Sequence, residues 1–194
     1  NLPATHLLSD TSSGDKAAAL VPADSNVPGA YSGTESRVIL DNGNLHLTFS
    51  TKGGYPVQAS LDSFKKYSGD SLIFFKGKNN ELSFDIPVNG KTVSTRQLYF
   101  TPETSSLPDG GTQLTMTAEV APGKRVILHY ALPKTGYMMS ANLRLVGFQQ
   151  ELAAAKSIPL TWSTEALLTE KDMKNERRYM QVHFRYEDGE HDYF

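Results

Sequence analysis

The strongest constraint on this chain is a period of two. In the stretch NLHLTFST, Leu45, Leu47 and Phe49 fall on one side and His46, Thr48 and Ser50 on the other. Leu114, Met116, Ala118 and Val120 alternate in the same way with Thr115, Thr117 and Glu119. Val126, Leu128, Tyr130 and Leu132 share a face, as do Tyr137, Met139, Ala141, Leu143 and Leu145. An amphipathic helix would repeat its apolar residues at three and four, whereas side chains of a strand alternate between two faces. The pattern is that of antiparallel strands with one face buried. Thr, Val, Tyr and Phe, which fit a pleated surface, recur in these runs.

Turn residues separate the runs. Asn42-Gly43, Gly53-Gly54, Asn89-Gly90, Gly110-Gly111, Pro122-Gly123 and Asp188-Gly189 each mark a reversal. Strands at such regular spacing predict an all-β fold, an antiparallel β-sandwich. The four-residue apolar run Leu72 to Phe75 reads as a central strand buried on both faces. As an exposed edge it would pair with a peptide instead. One stretch, Thr169 to Met180, lacks alternation and is rich in helix formers. It predicts a single short helix capped by Thr169, with Glu170 and Asp172 in its first turn and Arg177 and Arg178 in its last. A strand in YMQVHFRYED and a return strand in GEHDYF follow. The last of these runs up to Phe194, so the second sheet is expected to be incomplete at the C-terminus.

The chain has 194 residues, 39% of them hydrophobic and 21% charged, enough for one cored domain. Its net charge of −2 lacks the basic excess of a nucleic-acid binder, so no nucleic acid is expected as a partner. It has no cysteine, which removes disulfides, thiol catalysis and thiolate metal sites. No apolar run approaches the roughly 20 residues that cross a bilayer. Residues 1–35 are rich in Ser, Ala, Gly, Asp and Pro and read as a linker-like segment; 36–194 carry the β pattern.

Candidate chemistry is thin. Lys52-Gly53-Gly54 follows a strand, but a phosphate-binding loop needs G-x-x-x-x-G-K-[ST] leading into a helix. Here the lysine comes first, Pro56 follows, and Val57, Ala59 and Leu61 begin another strand. Lys52, Gly53 and Gly54 are therefore assigned as a structural turn, with positive φ at one or both glycines. His183 and His191 flank the Asp188-Gly189 turn with acidic neighbours, without any established zinc spacing. Glu119, Glu165 and Asp85 are carboxylates that nothing pairs for glycoside hydrolysis. No G-x-S-x-G elbow is present. Trp162, Tyr99, Phe100, Tyr130 and Tyr137 would suit a sugar-binding surface, though a lone Trp in a β chain belongs first in the core with its N–H paired. No catalytic, cofactor-binding or metal-ligating residue is assigned, and no enzyme activity or cofactor is expected.

Three pieces together resemble the large periplasmic domain of the YidC-type membrane protein insertases. They are Val38 to Phe75, in which a strand ends in Thr51-Lys52-Gly53-Gly54, the long hairpin Lys124 to Gly147, and Leu160 to Phe194 with its Trp162 strand and helix. The resemblance runs over roughly residues 36–194. It implies a β-supersandwich similar to galactose mutarotase, in the periplasm, as the extracytoplasmic part of a bacterial inner-membrane protein. Residues 1–35 would then follow a transmembrane helix. The implied role is an interaction scaffold of an insertase and chaperone. The implied partners are Sec translocon accessory proteins (SecDF) and nascent membrane proteins, with no small-molecule ligand. A carbohydrate-binding or mutarotase-like protein is the alternative. It would need a His acid and a carboxylate base converging in a cleft; His129 and Glu119 lie in adjacent predicted strands, but both sit on ordinary alternating polar faces.

Overall fold

The computed structural model describes residues 29–77, 80–179, 181, 183–186 and 188–193. The alternating runs are strands. In the first sheet β1 (Arg37–Asp41), β2 (Leu45–Ser50), β3 (Pro56–Lys65) and β4 (Ser71–Lys76) stand side by side in chain order, all antiparallel. β5 (Asn80–Val88) and β6 (Lys91–Ser94) then form a hairpin outside that sheet. β7 (Thr101–Ser106), β8 (Thr112–Ala121), β9 (Lys124–Leu132) and β10 (Ser140–Val146) make a second four-stranded meander. After a helix α1 (Gln149–Ala154), β11 (Leu160–Thr164) returns to pair with β5. A helix α2 (Met173–Tyr179) and the hairpin β12 (His183–Arg185) and β13 (His191–Tyr193) end the described chain.

The two meanders bury their apolar faces on each other, as an all-β sandwich does. Leu45, Leu47 and Phe49 of β2 are buried, as are Leu114, Met116, Ala118 and Val120 of β8 and the four alternating residues of β9. Phe49 and Tyr130 meet across the interface with ring centroids 4.7 Å apart. Each large side chain so buried contributes about 1.5–3 kcal/mol. Ile86 and Val88 bring β5 into the same core. Ala30, in a 3-10 turn at Gly29–Tyr31, also joins it, and its carbonyl accepts the Tyr99 N–H at 2.7 Å. Residues 1–28 lie outside the described residues.

Four readings change. Leu72 to Phe75 lie in β4, which is an edge strand, because the chain leaves the sheet for β5 after Lys76. Phe74 is exposed, and its carbonyl on the outer edge accepts the Leu167 N–H at 3.2 Å from the segment between β11 and α2. Trp162 is not in the core: β11 is the outer strand of its sheet, and the indole is 72% exposed. The helix begins at Met173, not Thr169. Asp172 is its cap, with Oδ1 accepting the Lys174 and Asn175 N–H groups at 3.0 and 3.2 Å. A second helix, α1, was not expected; it follows the buried Phe148. Of the predicted terminal strands only His183–Arg185 and His191–Tyr193 are seen; Met180, Val182, Glu187 and Phe194 lie outside the described residues.

A candidate docking cleft

Lys52, Gly53 and Gly54 stand between β2 and β3, and both glycines have positive φ, +83° and +70°. The corner is fastened on several sides. Gly53 N–H donates to the Leu98 carbonyl at 2.8 Å, and Phe100 N–H donates to the Thr51 carbonyl at 2.8 Å. Tyr130 Oη donates to the Gly54 carbonyl at 2.7 Å from the opposite sheet. Burial pushes the Tyr130 phenol far above the usual tyrosine range, so it remains a neutral donor. An amide already given to Leu98 is not available to a phosphate. Lys52 Nζ lies 5.4 Å from the Tyr99 ring centroid, a cation–π contact on the surface. The shallow pocket beside it holds Arg37 and Arg96, each already paired with a carboxylate: Glu35 at 2.9 Å and Glu81 at 2.7 Å.

The titratable candidates do not converge. Glu119 stands opposite Arg125 and His129 opposite Thr115, four residues further along the ladder, or about 13 Å. His129 Nδ1 is 3.1 Å from Thr115 Oγ1. His46 Nδ1 is paired with Asp41 Oδ2 at 2.8 Å. That contact and the Gly43 N–H hold the Asp41 carboxyl below its ordinary range, the amide being the larger cause. His183 stacks on Tyr193 at 5.5 Å, while His191 faces Arg185 across the hairpin. No group of His, Asp and Glu that would hold a metal occurs among the described residues. Of the aromatic set, Phe100 and Tyr130 are buried in the core; Tyr137 and Trp162 are exposed.

Those two exposed rings lead to the open site. A cavity of about 390 Å³ lies where the three larger sheets meet. Its floor is Leu45, Leu47 and Ala59, the inward residues of β2 and β3. Phe74 and Phe75 form one wall, Leu82 and Trp162 another, and Tyr137, Met139 and Ala141 the third. No charged side chain lines it, and Asn80 spends its Nδ2 on the Pro56 carbonyl. Alternation along the approach to β10 is as regular as in β9, but its apolar face is only half covered: Met139, Leu143 and Leu145 are partly buried, and Ala141 is exposed. β10 and β11 are outer strands, each with one partner. An apolar cleft flanked by unpaired strand edges is suited to an extended peptide, with main-chain bonds to an edge and side chains in the cavity. Nothing in the periodicity marks this site, because exposure depends on which strands end up outermost.

A larger groove of about 690 Å³ runs between β4 and α2, with Leu72, Phe74 and Leu167 below. Above it, Glu176 accepts hydrogen bonds from Thr169 Oγ1 at 2.7 Å and Thr169 N–H at 2.9 Å. These hold its carboxyl below the usual range, the hydroxyl being the larger cause.

The fold and its open cleft define an antiparallel β-sandwich domain with an uncharged, apolar-lined cavity at its surface. Among known families, the model of the YidC periplasmic domain matches residues 37–189, and the chain belongs to that family. It is thereby the extracytoplasmic part of an inner-membrane protein. It is 28% identical over 166 residues to the membrane protein insertase YidC of Parabacteroides distasonis, covering 84% of this chain and 26% of that protein. It is 29% identical to the YidC of Porphyromonas gingivalis ATCC 33277, covering 84% and 26%. With the YidC of Cytophaga hutchinsonii it shares 30% over 140 residues, covering 71% and 22%. The chain spans about a quarter of the length of the curated relatives it matches. No solved structure matches it.

Proposed function

We propose that this domain is the periplasmic interaction scaffold of a membrane protein insertase. It offers its cleft to SecDF or to nascent membrane proteins. The observation that carries this reading is the uncharged apolar cavity beside two outer strands, with Trp162 and Tyr137 exposed at its walls. Membership of the YidC periplasmic domain family supports the insertase part. The mechanism is contact without bond chemistry: apolar side chains of the partner leave water in the cavity while its backbone pairs with a strand edge.

The chain has no cysteine, so Ala141→Cys gives a single attachment point for a photo-cross-linker in the cleft wall. Adducts are expected with the periplasmic part of SecDF or with a transmembrane-segment peptide, and Leu82→Glu should suppress them. The reading is wrong if neither partner is captured.

A further inference from the structure

The hairpin β3–β4 does not stop where its sheet stops. β3 pairs with β2 only as far as Leu61, opposite Leu45, yet continues to Lys65. Its register on β4 shifts there: Leu61 faces Leu72 and Lys65 faces Ser71, so Asp62, Ser63 and Phe64 have no counterpart. A bulge of this kind re-aims side chains. The one here presents Phe64, 48% exposed, and the turn beyond it presents Tyr67, 63% exposed. Lys65 and Lys66 lie between the rings. Neither forms an ion pair among the described residues; Lys65 Nζ donates only to Ser71 Oγ, at 3.3 Å.

Other apolar side chains gather at the same end. Phe64 meets Tyr137 edge to face with centroids 6.0 Å apart. Tyr137 and its neighbour Met138, the latter 81% exposed, belong to the loop entering β10. That loop is tied to the β1–β2 turn by Asn42, whose Nδ2 donates to the Pro133 and Gly136 carbonyls at 2.9 and 3.1 Å. Tyr67 N–H also reaches the Thr169 carbonyl at 3.3 Å. One end of the sandwich thus carries two loops of exposed rings and a methionine, with Lys65 and Lys66 among them and the exposed Asp62 and Asp70 on either side. Lys124 and Arg125, where β9 begins, lie at the opposite end of the strands.

We propose that this end is a membrane-contact surface, in which the Phe64–Tyr67 tip and the Tyr137–Met138 loop seat in the headgroup layer of an anionic bilayer. Amphipathic rings favour that layer, apolar body inward and polar end in water, and lysines beside them extend to the phosphates. A polypeptide partner fits the tip less well, because Phe64, Tyr67 and Met138 line neither the cavity nor the larger groove; Tyr137 alone is shared with the cleft wall. A bilayer is at hand, since the family's domain is the periplasmic part of an inner-membrane protein. The proposal rests on that placement and not on the cleft, whose partner is a polypeptide.

The test uses the 194-residue chain with an environment-sensitive fluorophore at Tyr67→Cys and, as reference, at Arg125→Cys. Vesicles of phosphatidylethanolamine with and without phosphatidylglycerol are titrated in. The Tyr67 label should shift to the blue while the Arg125 label does not, and more so with phosphatidylglycerol. In flotation, Phe64→Ala with Tyr67→Ala should reduce binding about tenfold or more. Lys65→Glu with Lys66→Glu should remove the preference for the anionic lipid. Labels that respond alike, or a double alanine variant that floats as the parent does, overturn the proposal. So does a tip that ignores vesicles but cross-links to a protein. The cleft cross-links are read without vesicles, so the two readings fail separately.

Discussion

A methyl group on Gly54 would stand 2.7 Å from Leu128 Cδ1 and 3.1 Å from the Phe100 ring, on a backbone at φ +70°. Both the side chain and the conformation therefore require glycine there. Gly54→Ala is expected to lower stability by about 2–4 kcal/mol, read as a reduced urea midpoint at unchanged slope. Tyr130→Phe tests the other half of the same joint. It leaves the Gly54 carbonyl unpaired in the core and should cost about 1–3 kcal/mol. The sign of its pH dependence follows from burial. The folded-state pKa lies above the unfolded value near 10.0, so the stabilisation is complete below that pH and is lost as pH rises beyond it. Thermal melts above about pH 10 should fall less steeply for Tyr130→Phe than for the parent. The strand alternation and the paired glycines lead to the expectation of a reversal at Lys52-Gly53-Gly54. That the corner is pinned by residues 98–100 and by Tyr130 was not legible, because those partners come from distant parts of the sequence.

Among the elements, β2, β8 and β9 were read correctly because each has one face on the core and one on water, so burial copies the alternation. β4 was misread for the converse reason. A short wholly apolar run is compatible with a central strand, and only the topology makes it an edge. β11 shows the same limit: Trp162 is apolar by type and solvent-facing by position. The helix α2 was found by composition but its start was not, since Thr169, Glu170 and Asp172 are all plausible first-turn residues. Thr169 instead donates to Glu176, which closes a clasp over the groove beside β4. The Glu176 carboxyl is held below its ordinary 4.5, so the clasp is complete above that pH and is lost as pH falls through the lowered value. Amide hydrogen exchange at Thr169 should therefore lose protection in acid, and Glu176→Gln, which keeps an acceptor that does not titrate, should remove most of that pH dependence. A Thr169 amide equally protected across the acid range would show that Glu176 does not close the clasp.

At the scale of the whole molecule, the three larger sheets share one core on the side of β8 and β9 and part on the side of β10 and β11. The same apolar faces that stabilise the sandwich run on, uncovered, into the cleft: Leu47 is 4% exposed at its floor, while Trp162 is 72% exposed at its rim. Floor and wall should respond differently to substitution. Leu47→Ala removes a buried side chain and is expected to cost about 2–4 kcal/mol by urea unfolding. Ala141→Glu changes an exposed wall residue and should shift stability by no more than about 0.5 kcal/mol, yet it places a carboxylate across a cavity with no charged lining. An apolar fluorescent dye added to the native protein should bind there and brighten. Ala141→Glu should lose most of that signal with its urea midpoint intact, because a charge beside the dye must either be desolvated or exclude it. Dye fluorescence unchanged by Ala141→Glu would place the accessible apolar surface elsewhere, and the cleft would then be a seam of the sandwich without a docking role.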